Sequence, residues 1–149
     1  MILDRPRVAR VPSGQVKERL ELARRLLDRF SASFPVIEYG ILWESDTVNA
    51  QAVEFSGQRI VKLYGGLVRH PAIGEAGLAF TLAHETGHHL GGAPFDRCLP
   101  WLSSDRRADE WAETVGLPQV FGRRKARSLV AQGQRQISEV RSSIALQFH

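Results

Sequence analysis

The stretch HETGH, residues 84–88, sets two histidines four positions apart around a glutamate. On an α-helix of 3.6 residues per turn, His84 and His88 share one face, so both imidazoles can reach a single ion. Glu85 lies about 100° around the axis, beside such an ion but not necessarily on it. Two neutral imidazoles next to a carboxylate suit metal-assisted hydrolysis, in which the carboxylate removes a proton from a metal-activated water. Imidazoles with a carboxylate favour zinc over magnesium or calcium.

A hydrolytic zinc takes three protein ligands and leaves one position for water. Downstream of the motif the side chains able to complete the set are Asp96, Cys98, Asp105, Asp109, Glu110 and Glu113. Asp105 and Asp109 are four apart, so on a helix they share a face: one can bind the ion while the other accepts the remaining N–H of a ligating histidine. Glu110 and Glu113 fall elsewhere around that helix, towards solvent. His89 follows the motif by one residue and points off the ligand face, which suggests a surface position. Candidates for stabilising an oxyanion are Tyr64, His70 and Arg107.

These groups need elements to hold them. SGQVKERLELARRLLDRF (13–30) carries Val16, Leu20, Ala23, Leu27 and Phe30 at three- and four-residue steps, with Ser13 placed to cap, and reads as an amphipathic helix ended by Pro35. VIEYGILW, TVNAQAVEF and RIVKLY are β-branched and aromatic runs separated by ESD and SGQ, turn signals that predict three antiparallel strands joined by hairpins. A helix through AIGEAGLAFTLAHETGHHL follows, closed at Gly91-Gly92. After the proline-bounded loop APFDRCLPW, SSDRRADEWAETVG reads as a helix capped by Ser103 or Ser104 and broken by Pro118. RRKARSLVAQGQRQISEVRSSIALQF predicts a last helix interrupted at Gly133.

HETGH followed by SSDRRADEWA resembles the gluzincin metallopeptidases, where HExxH on one helix precedes ExxA(D/N) on a second. Upstream, VNAQAVEFSGQRIVKLYGGL is similar to the strand pair before the active helix in HtpX-like proteins and soluble minigluzincins. The likeness spans about residues 49–118. It implies an α+β, zincin-like fold: a small twisted antiparallel sheet packed against the HExxH helix, with flanking helices. It further implies zinc on His84, His88 and Asp105, Glu85 as general base, and Asp109 as the supporting acid. Asn49, Ala50, Gln51, Ala52 and Val53 would form an edge strand that pairs with a peptide substrate. The family has glutamate where this chain has Asp105, whose carboxylate reaches about 1.5 Å less far. A closer second helix, a bridging water or weak metal binding would each accommodate that; small Ala108 and the Ser103-Ser104 pair favour the closer helix. The Ala112 to Pro118 spacing also resembles the ImmA/IrrE-type branch, regulators that cleave a transcription factor. The substitution at Asp105 leaves room for a third outcome, a weakly active or inactive regulatory or binding module on the same fold.

The whole chain fits one metallopeptidase-like domain: 149 residues, 43% hydrophobic and 24% charged, suffice for a single core. AGLAFTLA (76–83) falls far short of the roughly 20 residues of a membrane span. The arginine-bearing start has no apolar run, so a cytoplasmic setting is expected. Cys98 is the only cysteine, which excludes an internal disulfide. The net charge of +4 is uneven: residues 1–31 carry +4, residues 32–118 carry −5 and residues 119–149 carry +5. The acidic middle suits a cation. The basic helical segment 119–149 is read as a solvated face; a nucleic acid or an acidic protein is the less favoured reading. Trp43, Trp101 and Trp111 are too scattered for a base-stacking platform.

Overall fold

A computed structural model describes residues 13–143, with side chains from residue 15 onward. Its order is α1 (Ser13–Ser33), β1 (Ile37–Leu42), β2 (Ala50–Phe55), β3 (Gln58–Tyr64), α2 (Gly65–Val68), α3 (Glu75–Leu90), α4 (Asp105–Trp111), a π-helical turn (Ala112–Gly116), α5 (Leu117–Phe121) and α6 (Arg123–Ser143). The arrangement is α+β. The capping role expected of Ser13 concerns a side chain outside the described residues.

The sheet is mixed, which corrects the expected all-antiparallel meander. Its order is β1-β3-β2, with β2 antiparallel and β1 parallel to the central β3. SGQ does make a hairpin between β2 and β3, but ESD does not fold β1 back on β2. Residues 43–49 instead carry the chain past the end of β3 to its far side. Arg69 holds that crossing: its guanidinium donates to Trp43 O at 2.6 Å and Ser45 O at 2.9 Å, pairs with Asp46 at 2.9 Å, and lies over the Trp43 ring. Three acceptors from a non-neighbouring segment outweigh a local turn preference.

One face of the sheet is apolar by simple alternation. Ile37, Ala50, Ala52, Val61 and Leu63 are buried on it. Against that face lies α3, buried on nearly every side. A helix this apolar all round belongs in the middle of a fold, and AGLAFTLA supplies the composition. Phe30 of α1 gathers Phe34, Tyr39 and Phe121 within 6.0–6.3 Å between ring centres, closing the core at one end.

Two expected helix breaks are absent. Pro118 sits in the first turn of α5, where its missing N–H costs little, and the π turn before it shifts the hydrogen-bond register. Thr114 Oγ1 donates to Glu110 O at 2.7 Å inside that turn. Gly133 lies within an unbroken α6. A Cβ there would stand 2.7 Å from Ala76 O and 2.8 Å from Phe80 Cβ, so the glycine marks where α6 presses on α3. From the same face of α6, Gln136 Oε1 accepts from Gly74 N at 2.9 Å and Gly77 N at 2.8 Å, capping the start of α3.

Candidate metal centre

The histidine pair rides on the C-terminal half of α3, and α4 lies across it. Ser104 starts α4, its Oγ accepting from Arg107 N at 3.3 Å. Ser103 N donates to His88 O at 2.8 Å, which ties the two helices at the motif itself. At Gly87 the backbones nearly touch: a Cβ there would lie 2.7 Å from Ala108 O and 3.0 Å from Ala108 Cα. At this point α3 and α4 approach to backbone contact. Gly87 on α3, which the sequence reading overlooked, permits it as much as Ala108 does.

His84, His88 and Asp105 converge, one ligand atom from each lying within 4.8 Å of the others. Asp105 Oδ1 is 3.5 Å from His84 Nε2 and 3.2 Å from His88 Nε2. Bonds of about 2.1 Å in tetrahedral array put neighbouring ligand atoms about 3.4 Å apart, so these two separations are of the size a shared ion requires. His88 Nε2 is buried and makes no hydrogen bond, as expected of a nitrogen reserved for a metal. The other ring nitrogens are held from behind. His84 Nδ1 donates to Asp109 Oδ1 at 2.7 Å, and His88 Nδ1 donates to Ser103 O at 2.6 Å. Both bonds aim the Nε2 atoms towards Asp105.

Glu85 is fully buried. Burial raises its pKa to about 8; Asp105 adds to the rise, while His84 and the backbone N–H of Ala52 pull it down. In the metal-free protein burial draws His84 down, but Asp105, Asp109 and Glu85 outweigh it and lift it to about 9. Burial and the neighbouring His84 take His88 down to about 4, which keeps it a neutral donor. The hydrogen bond with His84 holds Asp105 below the usual carboxylate range.

Ala52 belongs to the open edge of the sheet. Tyr64 N donates to Asn49 O at 3.1 Å, which sets the phase of the β2-β3 ladder. Residues 51 and 53 then share the bonded pairs, and Ala50, Ala52 and Glu54 turn their N–H and C=O groups away from β3. Asn49 immediately precedes β2, and the remaining expected edge residues, Ala50 to Val53, lie within it.

Other expected residues lie elsewhere. Asp96 Oδ1 accepts from Cys98 N and Leu99 N, and Cys98 is exposed in that loop. Glu110 and Glu113 face solvent. Tyr64 donates to Gln51 Oε1 at 2.9 Å, and Arg107 Nε donates to Gly91 O at 2.6 Å. His70 is buried before the start of α3, its Nδ1 accepting from Ala72 N at 3.1 Å. His89 does point off the ligand face, but not to the surface: it is 6% exposed, Nε2 bonds to Ile60 O at 2.9 Å, and its ring stacks on Trp101.

Beside His84 a cavity of about 230 Å³ opens between α3, α4 and α6, with Thr81, Ile137, Ser138 and Arg141 in its wall. Sequence reasoning missed it. Residues 134, 137, 138 and 141 have the helical spacing of one face, but nothing local says which neighbour that face meets. No described helix is long and apolar enough to cross a membrane. Compared with protein-family models, curated proteins and solved structures, the chain finds no match.

Proposed function

We propose that the chain is a zinc-dependent metallopeptidase of gluzincin type. The observation that carries this reading is the convergence of His84, His88 and Asp105 at ligand spacing with Glu85 buried next to them. Zinc, when bound, lowers the pKa of a water to about 7 and polarises a carbonyl. Glu85 would accept the proton of the attacking water and deliver it to the leaving amine. Asp109 and Ser103 O fix the tautomers of the two imidazoles. The outward N–H and C=O groups of Ala50 and the outward C=O of Ala52 would hold the substrate backbone extended at the sheet edge.

The test is metal analysis beside peptide cleavage. Wild type should carry about one zinc per chain and cleave peptides. Glu85→Ala should keep the zinc and lose cleavage, and Asp105→Ala should lose zinc. Zinc-loaded wild type that cleaves nothing in a broad peptide library would instead support the non-catalytic binding module.

A further inference from the structure

Residues 94–104 form an arm between α3 and α4, and one carbonyl on it serves the metal position. Asp96 N donates to Leu102 O at 2.7 Å and Ser104 N donates to Pro94 O at 2.9 Å, so Phe95 and Ser103 stand opposite each other in a short antiparallel bridge. In such a pair the bonding groups of residues 102 and 104 face the partner segment, which turns the N–H and C=O of Ser103 the other way. There they meet His88 twice. Ser103 N donates to His88 O at 2.8 Å, and His88 Nδ1 donates to Ser103 O at 2.6 Å.

The next histidine grips the same arm. His89 is stacked on Trp101, with ring centres 5.1 Å apart and planes 18° from parallel. Its Nε2 donates to Ile60 O at 2.9 Å, which anchors the stack to the central strand of the sheet. Consecutive helical residues point about 100° apart, so His88 and His89 hold the arm from two directions, at Ser103 and at Trp101. The tip of the arm is open, with Phe95 and Leu99 46% and 42% exposed, and the stack steadies the arm from the sheet side.

We propose that Trp101 is a positioning residue of the metal centre: stacked on His89, it keeps the Ser103 carbonyl in line with His88 Nδ1–H and so keeps His88 Nε2 aimed at the ion. The inference rests on the metal-centre reading for the ion, and on geometry alone for the hydrogen bond. Hydrogen bonds weaken steeply when the donor angle falls below about 120°, so a swing of the arm that leaves Ser103 near His88 still loosens the imidazole. A loosened neutral ring exchanges tautomers, and the fraction with its proton on Nε2 has no lone pair there for a metal.

A series at position 101 tests it. Trp101→Phe keeps a ring on His89, Trp101→Leu keeps apolar volume without a ring, and Trp101→Ala removes both. Leu26→Ala, at a buried position of α1, supplies plain loss of stability. Long-range proton–nitrogen NMR of the metal-free proteins reads the His88 tautomer, competition against a fluorescent chelator reads zinc affinity, and urea titration reads folding. Wild type and Trp101→Phe should carry the proton on His88 Nδ1. Trp101→Leu and Trp101→Ala should show mixed tautomers and bind zinc about tenfold more weakly. Leu26→Ala should unfold at lower urea and move neither other readout. If Trp101→Ala fails to fold, the Phe and Leu variants carry the comparison. An unchanged His88 tautomer without the ring, or a zinc loss that Leu26→Ala reproduces or Trp101→Phe fails to restore, overturns the positioning and leaves the metal centre. Wild type that takes up no zinc, while its His88 tautomer follows Trp101, sinks the metal-centre reading and leaves the positioning of the imidazole.

Discussion

Gly87→Ala tests whether a bare backbone contact between α3 and α4 is what lets an aspartate serve at position 105. The added methyl carbon would stand 2.7 Å from Ala108 O, against about 3.5 Å for an ordinary contact. Helix α4 must then retreat by about 0.8 Å, beyond the tolerance of about 0.2 Å in ligand distance. Asp105 starts at 3.2 Å and 3.5 Å from the two imidazoles and has no methylene to spare. Zinc affinity should fall about 10- to 100-fold, as for a displaced support of a metal ligand. Stability should change less: the helix gains about 0.8–1 kcal/mol in propensity, and overpacking costs about 1–3 kcal/mol. The decisive variant is the pair Gly87→Ala with Asp105→Glu. Asp105→Glu alone overshoots and weakens zinc binding; together the longer side chain fills the gap the methyl opens, and affinity recovers. Competition against a fluorescent zinc chelator measures all four members of the cycle, and thermal melts report folding. Unchanged affinity in Gly87→Ala, or a double variant no better than the sum of its singles, refutes the reasoning.

Asp109→Ala removes the acceptor of His84 Nδ1–H and should cost about 10- to 100-fold in zinc affinity by the same chelator assay, with the fold retained. Gly133→Ala forces a methyl against Ala76 O and Phe80 Cβ, so the melting temperature should drop by the equivalent of about 1–3 kcal/mol in spite of better helix propensity. His70 should give an acid-side signature. Burial, then Arg19, holds its folded pKa below the ordinary value of 6.5, so the unfolded chain binds the proton first. The stability of wild type relative to His70→Gln should be fully expressed above pH 6.5 and should shrink as pH falls below it, as read from urea titrations; a difference independent of pH contradicts the assignment.

Helices announced themselves where one side chain pattern had one job. The three- and four-residue steps of α1 and the Ser104 start of α4 are local facts, and the structure repeats them. The pairing of His84 with His88, and of Asp105 with Asp109, was legible for the same reason, since helical geometry puts each pair on one face; Asp105 as the third member of the set came from the resemblance. What escaped was decided between distant segments. The β1-β2 connection reads as a turn until Arg69 is seen to collect the carbonyls of Trp43 and Ser45. Gly133 reads as a break until Ala76 is brought beneath it. His89 was rightly turned off the ligand face, yet only the sheet and Trp101 reveal that this direction leads inward. The cavity wall on α6 could be seen as a stripe, and its partner could not.

Gln136 gives the assembly a temporal order. Two amides at the start of α3 are satisfied by a side chain 62 and 59 residues later in the chain, on a helix that leaves the ribosome after α3. A growing chain that already displays HETGH therefore still has these two amides of α3 open to water. The first turn of α3 is closed only once α6 has been synthesised and has docked, so the helix that carries the histidine pair is completed late.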